Sequence, residues 1–488
     1  MAHLPSPMLR SFPCFVLVLF TVLARDSSAG VVQDNAVVVS LHELKFGDDD
    51  RLSSMSASQI PRKQNGATIL ELKHHIPLSK PKKNHAKYIQ NLLILDEARA
   101  TSIQDHIKNY SKFQEKNAEF SSEAAQLPLS SGIKLQTLNY VTTITIGSTN
   151  TTVIVDTGSD LTWVQCTPCM ACYTQQDPIF NSSSSPTYIS VPCNSTTCTT
   201  SLQAATGISG SCSSDRNSCF YALGYGDGSY TRGILAQETI ALGDVQIPNF
   251  IFGCGRSNRG LFGGTSGLMG LGRTQLSLVS QTTDQFGGVF SYCLPTRLYN
   301  SSGSLVLGND TSAFKNATPV SYTRMIVDPT MAPFYFLNLT GASVGGVPIN
   351  ASGFSNGKIL IDSGTVITRL PPSIYKALKA EFVAQFSSYP AVAGFSILDT
   401  CFNLSSYDEV RVPTLKLELE GEVTVSIDVS GILYFVKKDG SQVCLAMASL
   451  SYEDQVGIIG NYQQKNQRVV YDTVGSRLGF AKEPCSYS

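Results

Sequence analysis

Val153-Ile-Val-Asp-Thr-Gly-Ser159 and Ile359-Leu-Ile-Asp-Ser-Gly-Thr365 are two copies of one phrase. In each, an apolar, β-branched run ends at an aspartate, followed by a hydroxyl residue, a glycine and a second hydroxyl residue. The run has the character of a buried strand. Glycine lets the chain turn sharply at the strand's end. The hydroxyls can hydrogen-bond the local backbone or the carboxylate. A single Asp-Thr-Gly marks many tight turns. Two copies with matched lead-ins mark an internal repeat. Downstream of the first comes Gly267-Leu-Met-Gly-Leu-Gly272, and downstream of the second Gly457-Ile-Ile-Gly-Asn461. This order predicts two related β lobes, each presenting one aspartate.

The sequence around the repeat agrees. From about residue 135, short β-branched runs such as Tyr140–Ile146, Thr152–Val155 and the alternating Leu415–Leu419 are separated by Gly, Ser, Pro and Asn turns. Asn181–Pro186 reads as loop. The clearest helical stretch is Pro372–Phe386, with Ile374, Leu378, Phe382 and Phe386 at helical spacing. The fold class expected is all-β, with two lobes and a cleft between them.

A strand-end carboxylate is expensive to bury unless it is paired or hydrogen-bonded. Facing lobes would bring Asp156 and Asp362 together and give both a use. Two close carboxylates do not both ionise readily, so the pair holds one proton. The ionised member serves as general base on a water held between them, and the protonated one polarises a peptide carbonyl. That chemistry needs no metal and no cofactor. Histidine usage points the same way: all six histidines precede residue 107. A Ser-His-Asp triad, a Cys-His dyad and a HExxH zinc site each require an imidazole. Between the repeats, Tyr221-Ala-Leu-Gly-Tyr-Gly-Asp-Gly-Ser229 reads as a β-hairpin with a glycine-rich tip, suited to closing over a cleft.

The N-terminal part differs. Arg10, the apolar run Phe12–Ala24 and the small residues Ser27–Gly30 read as a secretory signal, residues 1–29. An uncleaved anchor is the competing reading, against which the short apolar run argues. The chain's end, Glu483–Ser488, carries no hydrophobic tail for a lipid anchor. Residues 30–130 read as a removable prosegment, with a basic stretch at Lys73–Lys87 and a helical pattern from Tyr88 to about Lys116. Its apolar face carries Ile89, Leu92, Leu93, Ile103, Ile107 and Tyr110, and a linker follows around Ser121–Ser131. Cys14 falls in the signal, and the remaining 12 of 13 cysteines suit up to six disulfides in an oxidising compartment. The Cys166-x-x-Cys169-x-x-Cys172 run has no histidine nearby and is not read as a metal site. Ten Asn-x-Ser/Thr sequons suit a glycosylated, secreted chain.

With these residues in place, the sequence resembles the pepsin-like aspartic proteases, and among them the plant nepenthesin-type group, over roughly residues 135–485. The resemblance implies that Asp156 and Asp362 are the catalytic pair. It implies that Thr157 and Ser363 brace the two loops, and that Ser159 and Thr365 support the carboxylates beside Gly158 and Gly364. Tyr225, next to Gly226, matches the flap tyrosine, and Trp163, the only tryptophan, matches its indole partner. The disulfides implied are Cys166–Cys169, Cys172–Cys254, Cys193–Cys219, Cys198–Cys212, Cys293–Cys485 and Cys401–Cys444. The second motif has Ser363 where many animal relatives have Thr. Family members are usually made as zymogens, which fits the prosegment.

The function expected is therefore a secreted endopeptidase acting on proteins or peptides at acidic pH, made as a zymogen and held inactive by its own prosegment. Residues 131–320 would form the N-terminal lobe and 321–488 the C-terminal lobe of a monomer without a membrane anchor. The extracellular space is the expected compartment, with vacuole and plastid as alternatives. A non-enzymatic binder on the same scaffold is the first rival, and it predicts loss of a dyad aspartate or of the flap tyrosine. A plastid protease that binds DNA is the second. Residues 131–488 hold 21 Lys and Arg against 24 Asp and Glu, which gives nucleic acid no basic surface to expect.

Overall fold

The computed structural model describes residues 32–33, 35–41, 62–64, 67–69, 85–109, 125–131, 135, 137–214, 217–225, 228–260, 262–296, 302–327 and 333–486. The signal stretch and Gly226 lie outside the described residues, as does most of the basic stretch.

The fold is mostly β, and the repeat organises it. The strand Thr149–Asp156 pairs in parallel with Gly267–Gly270, Val153 opposite Gly267 and Asp156 opposite Gly270. Its counterpart Lys358–Ile361 pairs in parallel with Gly457–Ile459, Ile359 opposite Gly457. Each aspartate sits at the end of a strand buried on both faces, with Val153, Val155, Ile359 and Ile361 on one face and Ile154 and Leu360 on the other. Tyr140–Ile146 and Leu415–Leu419 are strands, as their patterns predict. Asn181–Pro186 contains a short 3-10 turn at Ser182–Ser184. The helix Pro372–Gln385 buries Ile374, Leu378 and Phe382.

The two lobes are sewn together by one sheet. It runs, strand beside strand, from Ala125–Ser131 through Gly303–Leu307, Val289–Cys293, Gln467–Asp472 and Arg477–Lys482 to Ser321–Arg324. Its first strand corrects one expectation, that Ser121–Ser131 is linker throughout. Instead Ala125–Ser131 pairs with both Gly303–Leu307 and Tyr140–Ile146. Ala125, Leu127 and Leu129 are buried at every second position, a strand period short enough to pass for linker composition.

Two earlier segments also pack onto the body. Ala36–Ser40 adds an antiparallel strand to Glu409–Pro413. The predicted helix spans His85–Asn109. It buries Ile89, Leu92 and Leu93 against Leu138, Val366, Ile367 and Tyr462, and Ala100 and Ile103 against Phe334, Phe336, Leu360 and Ile458. Ile107 packs at the edge of the second group, and Tyr110 lies outside the described residues. Each large apolar side chain so buried stabilises the docked helix by about 1.5–3 kcal/mol.

Four of the implied disulfides are replaced. The structure forms Cys166–Cys254, Cys169–Cys172, Cys193–Cys212 and Cys198–Cys219, together with Cys293–Cys485 and Cys401–Cys444. The expected Cys166–Cys169 and Cys172–Cys254 give way because Trp163–Thr167 lies parallel to Val245–Arg259 with Val164 opposite Cys254. Cys166, two residues on, projects from the same face, and its Cα lies 5.4 Å from that of Cys254. Cys169 and Cys172 are left for each other. The expected Cys193–Cys219 and Cys198–Cys212 give way because of depth. Cys198 and Cys219 are both in the apolar cluster with Leu202 and Tyr221, whereas Cys212 lies exposed at the rim beside Cys193.

Candidate active site

Asp156 and Asp362 are fully buried and meet where the lobes join. The two loops that carry them hold each other reciprocally. Thr157 N–H donates to Ser363 Oγ at 3.0 Å, and Ser363 N–H donates to Thr157 Oγ1 at 2.9 Å. Ser363 Oγ also donates to the Val155 carbonyl at 2.9 Å. The carboxylates are dressed in the same way. Asp156 accepts from Gly158 N–H at 3.0 Å and Ser159 Oγ at 2.7 Å. Asp362 accepts from Gly364 N–H at 2.8 Å and Thr365 Oγ1 at 2.6 Å. The sequence repeat is thus a structural repeat down to single hydrogen bonds.

The glycines serve a purpose other than the expected turn. Neither Gly158 nor Gly364 has a positive φ. A Cβ on Gly158 would lie 2.7 Å from Asp362 Oδ1, and one on Gly364 would lie 2.2 Å from Asp156 Oδ1. Each glycine is needed so that the opposite carboxylate can come close.

Trp163 and Tyr225 meet at the edge of the same space, the indole N–H donating to the tyrosine hydroxyl at 2.8 Å. Phe262 stands edge-on to both rings, with centroids 4.9 Å from Trp163 and 5.7 Å from Tyr225. Burial, then the neighbouring Asp156, push the Tyr225 phenol well above its ordinary pKa, so it stays a donor.

The helix His85–Asn109 occupies the cleft. From it Arg99 reaches between the two aspartates: Nη2 lies 2.7 Å from Asp156 Oδ1 and 3.0 Å from Asp362 Oδ2, with Nε 3.2 Å from the latter. Burial works against the guanidinium's charge, but the two carboxylates outweigh it and raise the Arg99 pKa. Burial also lifts both aspartates. At Asp156 it prevails over Arg99 with help from the Asp362 charge, and the pKa stands above the ordinary value. At Asp362, Arg99, Thr365 and the Gly364 N–H together outweigh burial, and the pKa falls below it. The pair titrates jointly.

One turn before Arg99, Asp96 makes a second contact. Its carboxylate accepts from Val366 N–H at 2.6 Å and Ile367 N–H at 3.1 Å, just beyond the second motif. It also pairs with the fully buried Arg369 at 3.0 Å, and Glu97 takes the same guanidinium at 2.8 Å. Sequence reasoning misses Arg99, Asp96, Glu97 and Arg369, because only the helix's apolar residues carry a pattern.

Comparison with known proteins adds a family. Residues 140–309 match the family described as "Xylanase inhibitor N-terminal", and 334–482 the one described as "Xylanase inhibitor C-terminal". An aspartyl protease family protein of Arabidopsis thaliana is 44% identical over 81% of this chain and 82% of its own. Aspartic proteinase nepenthesin-1 of Nepenthes gracilis is 36% identical over 80% of this chain and 92% of its own. The crystal structure of basic 7S globulin from soybean superposes with a TM-score of 0.58 at 22% identity, over 75% of this chain and 97% of that one. That last likeness is one of fold.

Proposed function

This chain belongs to the plant aspartyl protease family and is a protease hydrolase, and on that premise we propose a secreted, acid-active endopeptidase that is made as a zymogen. Asp156 and Asp362 are the reacting pair. The observation that carries this reading is the symmetric, braced approach of two buried carboxylates, each tied to its own Gly N–H and hydroxyl. Such a pair activates a water on one carboxylate, while the protonated partner polarises the scissile carbonyl and delivers the proton to the departing amine. Thr157 and Ser363 fix the loops, Ser159 and Thr365 orient the carboxylates, and Tyr225, backed by Trp163, closes the cleft over substrate.

Latency follows from Arg99, whose guanidinium takes the position between the carboxylates that the reacting water needs. The segment removed on activation includes the cleft helix and so ends beyond residue 109. Residues 1–29 act as secretory signal, and the disulfides suit the oxidising route this implies. The extracellular space is the favoured destination, ahead of the vacuole. No helix among the described residues is long and apolar enough to cross a membrane.

The test is hydrolysis of a protein substrate from about pH 3 to about pH 7, by the acid-processed chain beside Asp156→Asn and Asp362→Asn. Acid activity in the wild type, lost in both variants, is the expected result. An inactive but correctly folded wild type would transfer the chain to the non-enzymatic binders.

A further inference from the structure

The contact between the cleft helix and Arg369 has a use after the helix has gone. Three groups of the body hold the Asp96 carboxylate: the N–H groups of Val366 and Ile367 and the Arg369 guanidinium. Arg369 is wholly buried and gives its Nε edge to Glu97, while its Nη1 is tied back to the Ile367 carbonyl at 2.8 Å. Its strand, Thr368–Leu370, is paired on both sides, to Met447–Ser449 and to Ile458. The two N–H groups lead directly into this paired strand, and Arg369 keeps its tie to the Ile367 carbonyl when the helix is gone.

Removal of the helix strips this cradle of Asp96 and Glu97 together. A guanidinium and two aligned N–H groups, left in a cleft with their anions withdrawn, are unsatisfied donors of one charge type. The cradle also lies close to the chemistry. Asp96 and Arg99 are three residues apart on one helix, a rise of about 4.5 Å. An extended peptide advances roughly 3.3 Å per residue. The cradle is then within about three residues of the bond to be cut.

We infer that Arg369, with the Val366 and Ile367 N–H groups, forms a substrate subsite for an acidic side chain, and that Asp96-Glu97 of the cleft helix occupies it in the latent chain as a substrate's Asp or Glu does in the active one. This rests on the proposed release of the helix and adds a substrate class to it: peptides with an aspartate or glutamate within a few residues of the cut. A neutral residue there leaves buried donors unpaired, which makes the discrimination large for a single side chain.

The experiment uses the full chain, processed at acid pH, and two peptide series differing only in Glu or Gln at each position flanking the cut. At about pH 5.5, where glutamate is ionised, the wild type is expected to favour Glu at one position by about tenfold or more in kcat/KM, chiefly through KM. That ratio shrinks as the pH falls through the glutamate pKa of about 4.3. In Arg369→Gln the Glu/Gln ratio collapses, and in Arg369→Lys part of it returns. The wild-type pH series remains decisive even where a variant folds poorly. Equal cleavage of Glu and Gln peptides by the wild type overturns the subsite alone, as does a preference that survives Arg369→Gln. Failure to cleave either series defeats the underlying protease reading, and the subsite with it.

Discussion

Thr157 and Ser363, one in each copy of the motif, exchange hydrogen bonds: each N–H donates to the other's side-chain oxygen, at 3.0 and 2.9 Å. Ser363→Ala would leave the buried Thr157 N–H without its acceptor. A loss of about 1–3 kcal/mol in stability is expected, with a lower kcat because the carboxylates are no longer held in register. Ser363→Thr keeps the oxygen and should keep both. Thermal melting and initial rates on the three proteins decide it, and an unaltered melt in Ser363→Ala would show the brace to be dispensable.

Arg99 is expected to make the proposed latency depend on pH. In the docked state burial raises the Asp362 pKa, but Arg99 and the local donors bring it below the ordinary value. A depressed carboxylate stabilises the docked state above its ordinary pKa, and that contribution is lost as pH falls through the depressed one. Through Arg99 and Asp362 acid is expected to loosen the docked helix, while Asp96, whose carboxyl burial raises, acts in the opposite direction. Arg99→Ala removes the depression, and the chain should process at a higher pH than wild type. Gel mobility after incubation at stepped pH gives the midpoint, and identical midpoints would remove Arg99 from the latch.

Asp160 predicts a loss of stability between acid and neutral pH. Burial pushes its carboxyl up to about 7, only partly opposed by the Thr274 N–H at 2.9 Å, and Oδ2 has no partner. A raised acid pKa in the folded state stabilises the fold at low pH, and this is lost as pH rises towards and through 7. Asp160→Asn should flatten the fall in melting temperature across that interval. A wild-type slope retained in the variant would place that loss elsewhere.

Arg468 and Glu483 form a fully buried bidentate pair, at 2.8 and 2.9 Å, two residues before the cysteine that ties the chain's end to Cys293. Glu483→Gln leaves the guanidinium without its countercharge and should destabilise by about 3–5 kcal/mol. Denaturant melts report the change, and a loss under about 1 kcal/mol would mean that Ser304 and Ser291 suffice to hold the arginine.

The repeat makes the architecture legible, because strand, aspartate and hydroxyls recur in one order and the order survives as hydrogen bonds. Spacing does not state which strands become neighbours, so four bridges of the cysteine-rich insert differ from those the resemblance implies. The glycines of the motif read as turn formers, whereas the approach of the opposite carboxylate decides their identity. The polar face of the cleft helix is opaque for a similar reason. Asp96, Glu97 and Arg99 look like ordinary solvated charges until their partners, most of them more than 250 positions away, are in place.

The sheet that joins the lobes has a final consequence. Val289–Cys293 lies directly against Gln467–Asp472, from opposite sides of residue 320. Split there, the gene would encode two complementary fragments, each ending in an open edge hungry for the other. Co-expressed, they should reassemble as a heterodimer; expressed singly, each should aggregate.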